Sequence, residues 1–142
     1  MSDDTLEERK QLVREGVEAI NDGDAERLTE LIADDAVIHG QGGRDVSGVN
    51  RVVSATVDTD AFPDSHLEIE EMVAEGDTVV VRMTFTGTHE GDMHGVPPTG
   101  EAIEIRVMSM YRIEDGQLAE GWFVEDDADT LRQLGLWQEL TE

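Results

Sequence analysis

Four potential proton carriers or metal ligands stand within six residues of one another, in His89-Glu90-Gly91-Asp92-Met93-His94. Imidazole and carboxylate are the donors a divalent metal site uses. The step from His89 to His94 matches neither one face of a helix nor a common zinc spacing, so no metal is expected. His39 is a second candidate: a neutral imidazole can orient a carbonyl or accept a proton, and its structural alternative is a ring tied to nearby backbone. Glu125 is a third. Alternate residues of a strand share a face, so Gly121, Phe123 and Glu125 point one way and Trp122 the other. A partly buried Glu125 has the raised pKa that acid–base work needs, whereas an exposed one is only a solvated acid. Asp126 falls at the strand's end and is expected to cap the turn that follows. His66 stands at a strand start and is expected to be exposed. With no cysteine, thiol nucleophiles, thiolate metal sites and disulfides are excluded. Gln41-Gly42-Gly43 lacks the strand and helix context of a phosphate loop, and no Ser-His-Asp arrangement follows from these spacings.

The elements that must position these groups are read from apolar periodicity. Leu6, Val13, Val17 and Ile20 recur at helical spacing, Thr5 and Glu8 form a capping box, and Gly23 stops the helix. Asp24 caps a second, short helix carrying Leu28, Leu31 and Ile32. Ala36 to His39 reads as a short strand and Gln41 to Asp45 as a loop. Ser47 is placed to cap a third helix through Val52, Val53 and Val57, which Ala61-Phe62-Pro63-Asp64 breaks. From Leu67 the period changes to two. Strands are expected at Leu67–Val73, Val79–Thr88, Ala102–Arg112 and Gln117–Glu125. Glu75-Gly76-Asp77 and Asp115-Gly116 supply hairpin turns, and residues 89–100 a crossover. Asp129 to Leu136 form a closing helical turn. Helices followed by an antiparallel meander imply an α+β fold. The third strand is apolar on both faces, with Met108 and Met110 alternating with Val107, Ser109 and Tyr111; one face is therefore expected to meet a second subunit.

Composition narrows the setting. A chain of 142 residues fits one domain, residues 1–142, and buries about 68–70% of its unfolded surface. Acids outnumber bases 34 to 10, giving a net charge of -24, and the excess holds in every quarter of the chain. Such a surface repels itself in dilute buffer, while in molar salt the Debye length falls to about 3 Å. The composition resembles that of a halophilic, haloarchaeal cytosolic protein, which is the expectation for this chain. The acids are spread out and match no calcium loop, and no basic stripe exists for nucleic acid. The polar N-terminus and the lack of an apolar span point to a cytoplasmic protein without membrane contact.

Read in order, five segments carry a resemblance: Thr86-Gly87-Thr88-His89-Glu90-Gly91, Gly95-Val96-Pro97-Pro98-Thr99-Gly100, Arg112-Ile113-Glu114-Asp115-Gly116, Glu120-Gly121-Trp122-Phe123-Val124-Glu125-Asp126 and Leu131-Arg132-Gln133-Leu134-Gly135-Leu136. Together the set resembles the SnoaL-like polyketide cyclases, also called the ester cyclase family. The resemblance implies a nuclear transport factor 2-like cone, in which helices and a curved sheet enclose one apolar pocket. It also implies a homodimer through the sheet, no cofactor, and His89 in a loop near the pocket mouth. The cyclases use a pocket aspartate as acid and base for an intramolecular aldol closure, with two histidines nearby. Those positions fall here on Phe123, Gly121 and Ser109, none of which transfers a proton as the family residues do.

The resulting expectation is a pocket walled by His39, Ser109, Tyr111, Gly121 and Phe123, for a small apolar, carbonyl-containing or aromatic molecule. Two alternatives stand beside it. One is a cofactor-free cyclase, isomerase or hydrolase using relocated catalytic groups, His39 and Glu125. The other is a non-catalytic interaction module that uses the sheet face.

Overall fold

The computed structural model describes residues 3–40 and 43–136. Four helices and six strands follow in the order α1 (Asp3–Asp22), α2 (Ala25–Leu31), β1 (Ile32–His39), β2 (Asp45–Ser47), α3 (Val49–Val57), β3 (His66–Glu75), β4 (Thr78–Thr88), β5 (Ala102–Glu114), β6 (Gln117–Glu125) and α4 (Asp127–Gln133). The strands form one sheet in the order β2-β1-β6-β5-β4-β3. Only β1 and β6 pair in parallel, so the sheet is mixed. The architecture is α+β, with helices packed on one face of a curved sheet.

Helix α1 lies on that face because Val13 and Val17 sit one turn apart. Their side chains close over Val79, Val81 and Met83 of β4 and Val107 and Ile113 of β5. Ala19, Leu28, Ile32, Ala36, Val52 and Val53 join α1, α2, β1 and α3 in a second cluster. A third packs Leu134 on Ile103 and Ile105. Two side-chain amides imitate missing strand partners. Asn21 accepts from the Leu67 amide (2.8 Å) and donates to its carbonyl (2.9 Å). Gln133 does the same at Glu104, with both bonds 2.8 Å. Each amide satisfies an edge N–H and C=O that would otherwise lack a partner.

The β5–β6 turn places Asp115 at φ 53° and Gly116 at φ 75°, the pair of positive angles a two-residue type I′ hairpin requires. Asp126 caps α4 as expected, accepting from the Asp129 amide at 3.1 Å. Four local expectations need correction. Helix α1 already runs at Asp3, so Thr5 lies inside its first turn and is no N-cap. Gly48, not Ser47, precedes α3, because Ser47 is held in β2. Ile32 lies outside α2, as its extended C-cap, and is the first residue of β1. Asp45 belongs to β2, which pairs His39 with Asp45, and is not loop; Gln41 and Gly42 lie outside the described residues.

Candidate functional site

The helix-side face of the sheet is built from β4 and β5 residues of alternating number. Val79 and Val81 have no exposed surface, and Met83, Ile105, Val107 and Ser109 are buried beside them. Antiparallel pairing then fixes which β6 residues join this face: Tyr111 stands opposite Gly121, Ser109 opposite Phe123, and Val107 opposite Glu125. Four of the five expected wall residues, Ser109, Tyr111, Gly121 and Phe123, are therefore brought together on the inner face.

Gly121 has a steric reason. A Cβ built there would lie 2.8 Å from Tyr111 Cδ1 and 2.9 Å from Ile38 Cδ1, closer than real Cβ contacts come. The Tyr111 ring therefore lies across the β6 backbone, over the glycine. Ser109 stands two residues back along β5, opposite Phe123. Burial raises the Tyr111 pKa above the usual phenol value, against a smaller lowering by Ser109, so the hydroxyl stays protonated at neutral pH. Phe123 reaches under the turn after β1, where a Cβ on Gly40 would stand 3.4 Å from its ring. Glu125 ends the row. The residue is exposed, yet nearby protein desolvates its carboxyl, and this, followed by the charge of Asp127, raises its pKa.

His39 does not belong to this wall. Register in β1 pairs Ile38 with Gly121 and His39 with Trp122, which turns His39 to the outer face. There its ring stacks on Trp122 (centroids 5.2 Å apart, planes 23° apart). Nε2 lies 2.7 Å from Glu120 Oε2 and Nδ1 3.2 Å from Asp45 Oδ2. The bond to Glu120, then the bond to Asp45, raises the His39 pKa above its ordinary value. Glu120 is lowered in turn, chiefly by His39, with Arg112 adding to it. His39 is thus an ion-paired group on the outer face, and the direction of β1 does not bring it to the other four expected wall residues.

Trp122 is surrounded by other apolar side chains on the outer face. Met110 pairs with Trp122 and Met108 with Val124, while Val80 joins Met110 to Val73 of β3. Among the described residues, Val73, Met108, Met110, Trp122 and Val124 are the exposed large hydrophobic ones. Arg82, Arg106 and Arg112 flank them on the same face, each paired with an acid: Glu71, Asp126, and both Glu114 and Glu120.

The histidine-rich segment serves the loop it begins. His89 is wholly buried and clasps the ends of residues 90–100. Its amide donates to Glu101 O (2.9 Å), its carbonyl accepts from Gly100 N (2.8 Å), and Nδ1 accepts from Thr99 N (3.2 Å). Nδ1 as acceptor leaves the proton of a neutral ring on Nε2, which is buried without a hydrogen-bond partner. His94 is exposed, with Nε2 3.5 Å from Arg44. Among the described residues, no three His, Asp or Glu side chains converge on a metal-sized site. His66 is exposed, as expected.

Two hollows open elsewhere on the surface. One of about 400 Å³ lies between α1 and the β5–β6 turn, lined by Glu8, Arg9, Leu12, Ile113 and Asp115 among others. Another of about 560 Å³ lies between β2 and α3, lined by Asp45, Asn50, Arg51 and Ser54 among others. Neither includes an expected wall residue. The groups that sequence reasoning missed are Asp45 and Glu120 as partners of His39. The alternation of β6 signalled only that Glu120 shares a face with Trp122, and the register of β1 was needed for the rest.

Known proteins are similar to this chain in sequence and in fold. The family model of SnoaL-like polyketide cyclases matches residues 10–134. Aklanonic acid methyl ester cyclase DnrD from Streptomyces peucetius is 30% identical over 128 residues, covering 87% of this chain and 88% of DnrD. The crystal structure of IdmH, a candidate polyketide cyclase from Streptomyces antibioticus, superimposes with a TM-score of 0.81 at 34% identity, over 89% of this chain and 98% of IdmH. AclR, a candidate hydroxylase from Streptomyces galilaeus, gives 0.80 at 34% identity, over 92% and 82%. Among the described residues, no helix is long and apolar enough to cross a membrane. The chain belongs to the SnoaL-like polyketide cyclase family.

Proposed function

We propose that the inner face binds a small apolar molecule, carbonyl-containing or aromatic, and that Phe123 replaces the acid/base aspartate of the family's cyclases. The observation that carries this reading is the β5–β6 register. It sets two hydroxyls, a phenyl ring and a glycine on the buried face and no carboxylate before Glu125 at its end. A phenyl ring offers dispersion and stacking to an aromatic ligand but no proton transfer. Resemblance to both a cyclase and a candidate hydroxylase supports a scaffold that hosts more than one chemistry.

A second reading, a cofactor-free cyclase, isomerase or hydrolase with relocated groups, is favoured by Glu125 alone. Desolvation raises its pKa, the direction that acid–base work requires. The outer apolar band supports a homodimer, with a second copy of this chain as its partner; a non-catalytic interaction module would use the same surface.

Incubation with β-keto ester or polyketide-like substrates in molar salt tests the first reading. It predicts binding without ring closure. Turnover that disappears in Glu125→Gln would establish the second reading in its place.

A further inference from the structure

His39 has a carboxylate at each of its ring nitrogens. Nδ1 lies 3.2 Å from Asp45 of β2 and Nε2 2.7 Å from Glu120 of β6, while the ring lies on Trp122. An ionised carboxylate only accepts hydrogen bonds, and a neutral imidazole has a single N–H to give. Both contacts are therefore satisfied by the imidazolium alone. Loss of one proton turns a lone pair toward one carboxylate and breaks that contact.

The ring sits where the edge of the sheet meets its exposed apolar row. Strand β2 is three residues long and is joined to β1 at Val37, Ile38 and His39. Trp122, the β6 partner of His39, ends the row that runs through Met110 and Val80 to Val73. The charged groups around the ring come from three strands. Strand β2 contributes Asp45, β6 contributes Glu120, and β5 contributes Arg112, whose Nε lies 3.4 Å from Glu120. Arg44, next to Asp45, lies 3.5 Å from His94. With the imidazolium in place, two cations face Asp45, Glu120 and Glu114; without it, the three carboxylates share the Arg112 guanidinium.

A second copy of this chain suits the face that the ring borders. At a net charge of -24, copies repel one another over most of their surface. Three of the ten bases, Arg82, Arg106 and Arg112, flank the apolar row. The Arg106 side chain is 79% exposed and that of Arg82 48%. Exposed guanidinium groups beside an apolar centre complement an acidic partner, and in a two-fold contact each copy offers the other both.

We propose that His39 is a proton switch for self-association: its imidazolium ties β2 to β6 beside Trp122 and readies the outer face for a second copy, and loss of its proton releases that copy. This rests on the reading of the outer face as a homodimer contact. Below the transition the ring neutralises the carboxylates at the rim. Above it, both copies bring uncompensated carboxylates to the edge of one contact. Glu120, then Asp45, raises the His39 pKa above 6.5, so the imidazolium is complete below that value and dissociation follows as the pH rises past it.

Sedimentation velocity of the full chain in molar salt, from about pH 6 to about pH 9, measures the dimer dissociation constant across the His39 titration. Circular dichroism at each pH follows the fold. Wild type is expected to dimerise at the acid end and to weaken about tenfold by the alkaline end, with its midpoint above the ordinary histidine value. His39→Gln is expected to change less than about twofold over the same range. That variant keeps His66, His89 and His94, so it isolates whatever they add. Asp45→Asn leaves one carboxylate on the ring and moves the midpoint to lower pH. Equal pH dependence in wild type and His39→Gln, a wild-type constant that does not rise with pH, or an unmoved midpoint in Asp45→Asn overturns the switch while the homodimer stands. A wild type that is monomeric at every pH overturns both.

Discussion

The two faces of the sheet reverse the usual distribution of polarity where they meet on β5. Inward, this strand presents Ser109 and Tyr111; outward, Met108 and Met110, which are 47% and 38% exposed. Strand β6 repeats the pattern outward with Trp122 and Val124. A sheet with water on one side normally alternates apolar-in with polar-out. Here hydroxyls are buried and methionines uncovered, in a chain of net charge -24 that otherwise dresses its surface in carboxylates. The contrast teaches that neither face is designed for water or core alone. The inner face buries polar groups among apolar ones, and the outer one leaves apolar area uncovered.

Two methionines on neighbouring strands provide the largest contrast. Met83 is 3% exposed and packed in the core. Met83→Ala is expected to cost about 2–5 kcal/mol, through lost burial and the cavity left behind. Met108→Ala is expected to change the stability of a lone chain by less than about 0.5 kcal/mol, yet to weaken self-association measured by sedimentation. Chemical denaturation of both variants checks the first part, and equal destabilisation would erase the distinction between faces.

A smaller effect is expected at Gly121, where the new methyl of Gly121→Ala meets Tyr111 and Ile38. Overpacking of this kind costs about 1–3 kcal/mol. Combining it with Tyr111→Phe should not relieve the cost, because the clash is with ring carbons and not with the hydroxyl. Thermal melts of the single and double variants decide it.

The smallest effect is electrostatic and belongs to the outer face. His39 gains Glu120 and Asp45 as partners, and its folded-state pKa lies above the ordinary value of 6.5. A raised pKa means that the imidazolium contributes to stability fully below the unfolded value. That contribution is lost as the pH rises through the folded one. Stability should therefore decline from about pH 6.5 upward by a component that His39→Gln removes. The His39 ring titration, followed by NMR, should be displaced upward, and an undisplaced titration would contradict the ion-paired arrangement.

Much of this fold was legible in the chain, for physical reasons that also mark where legibility ended. The long strands announced themselves because Val79, Val81 and Met83 repeat with period two, and Asp115-Gly116 suits the positive angles of its turn. Parity along β6 correctly grouped Gly121, Phe123 and Glu125, since alternation is a local property. His39 was misplaced because its direction depends on how β1 registers against β6, a strand about eighty residues away. Its neighbour β2 is three residues long and has no periodicity to read. Ser47 was a good capping residue in the wrong place, taken by that short strand. His89 sits in a distinctive motif, but only the folded loop shows it bound to Thr99.

Methyl NMR most directly tests the claim that the inner face is the ligand face. With 2-acetylnaphthalene added in molar salt, the account predicts shifts at Ile38, Val81, Met83 and Val107, and none at Met108, Met110 or Val124. Shifts confined to the outer-face methyl groups, or no shifts at all, would contradict it.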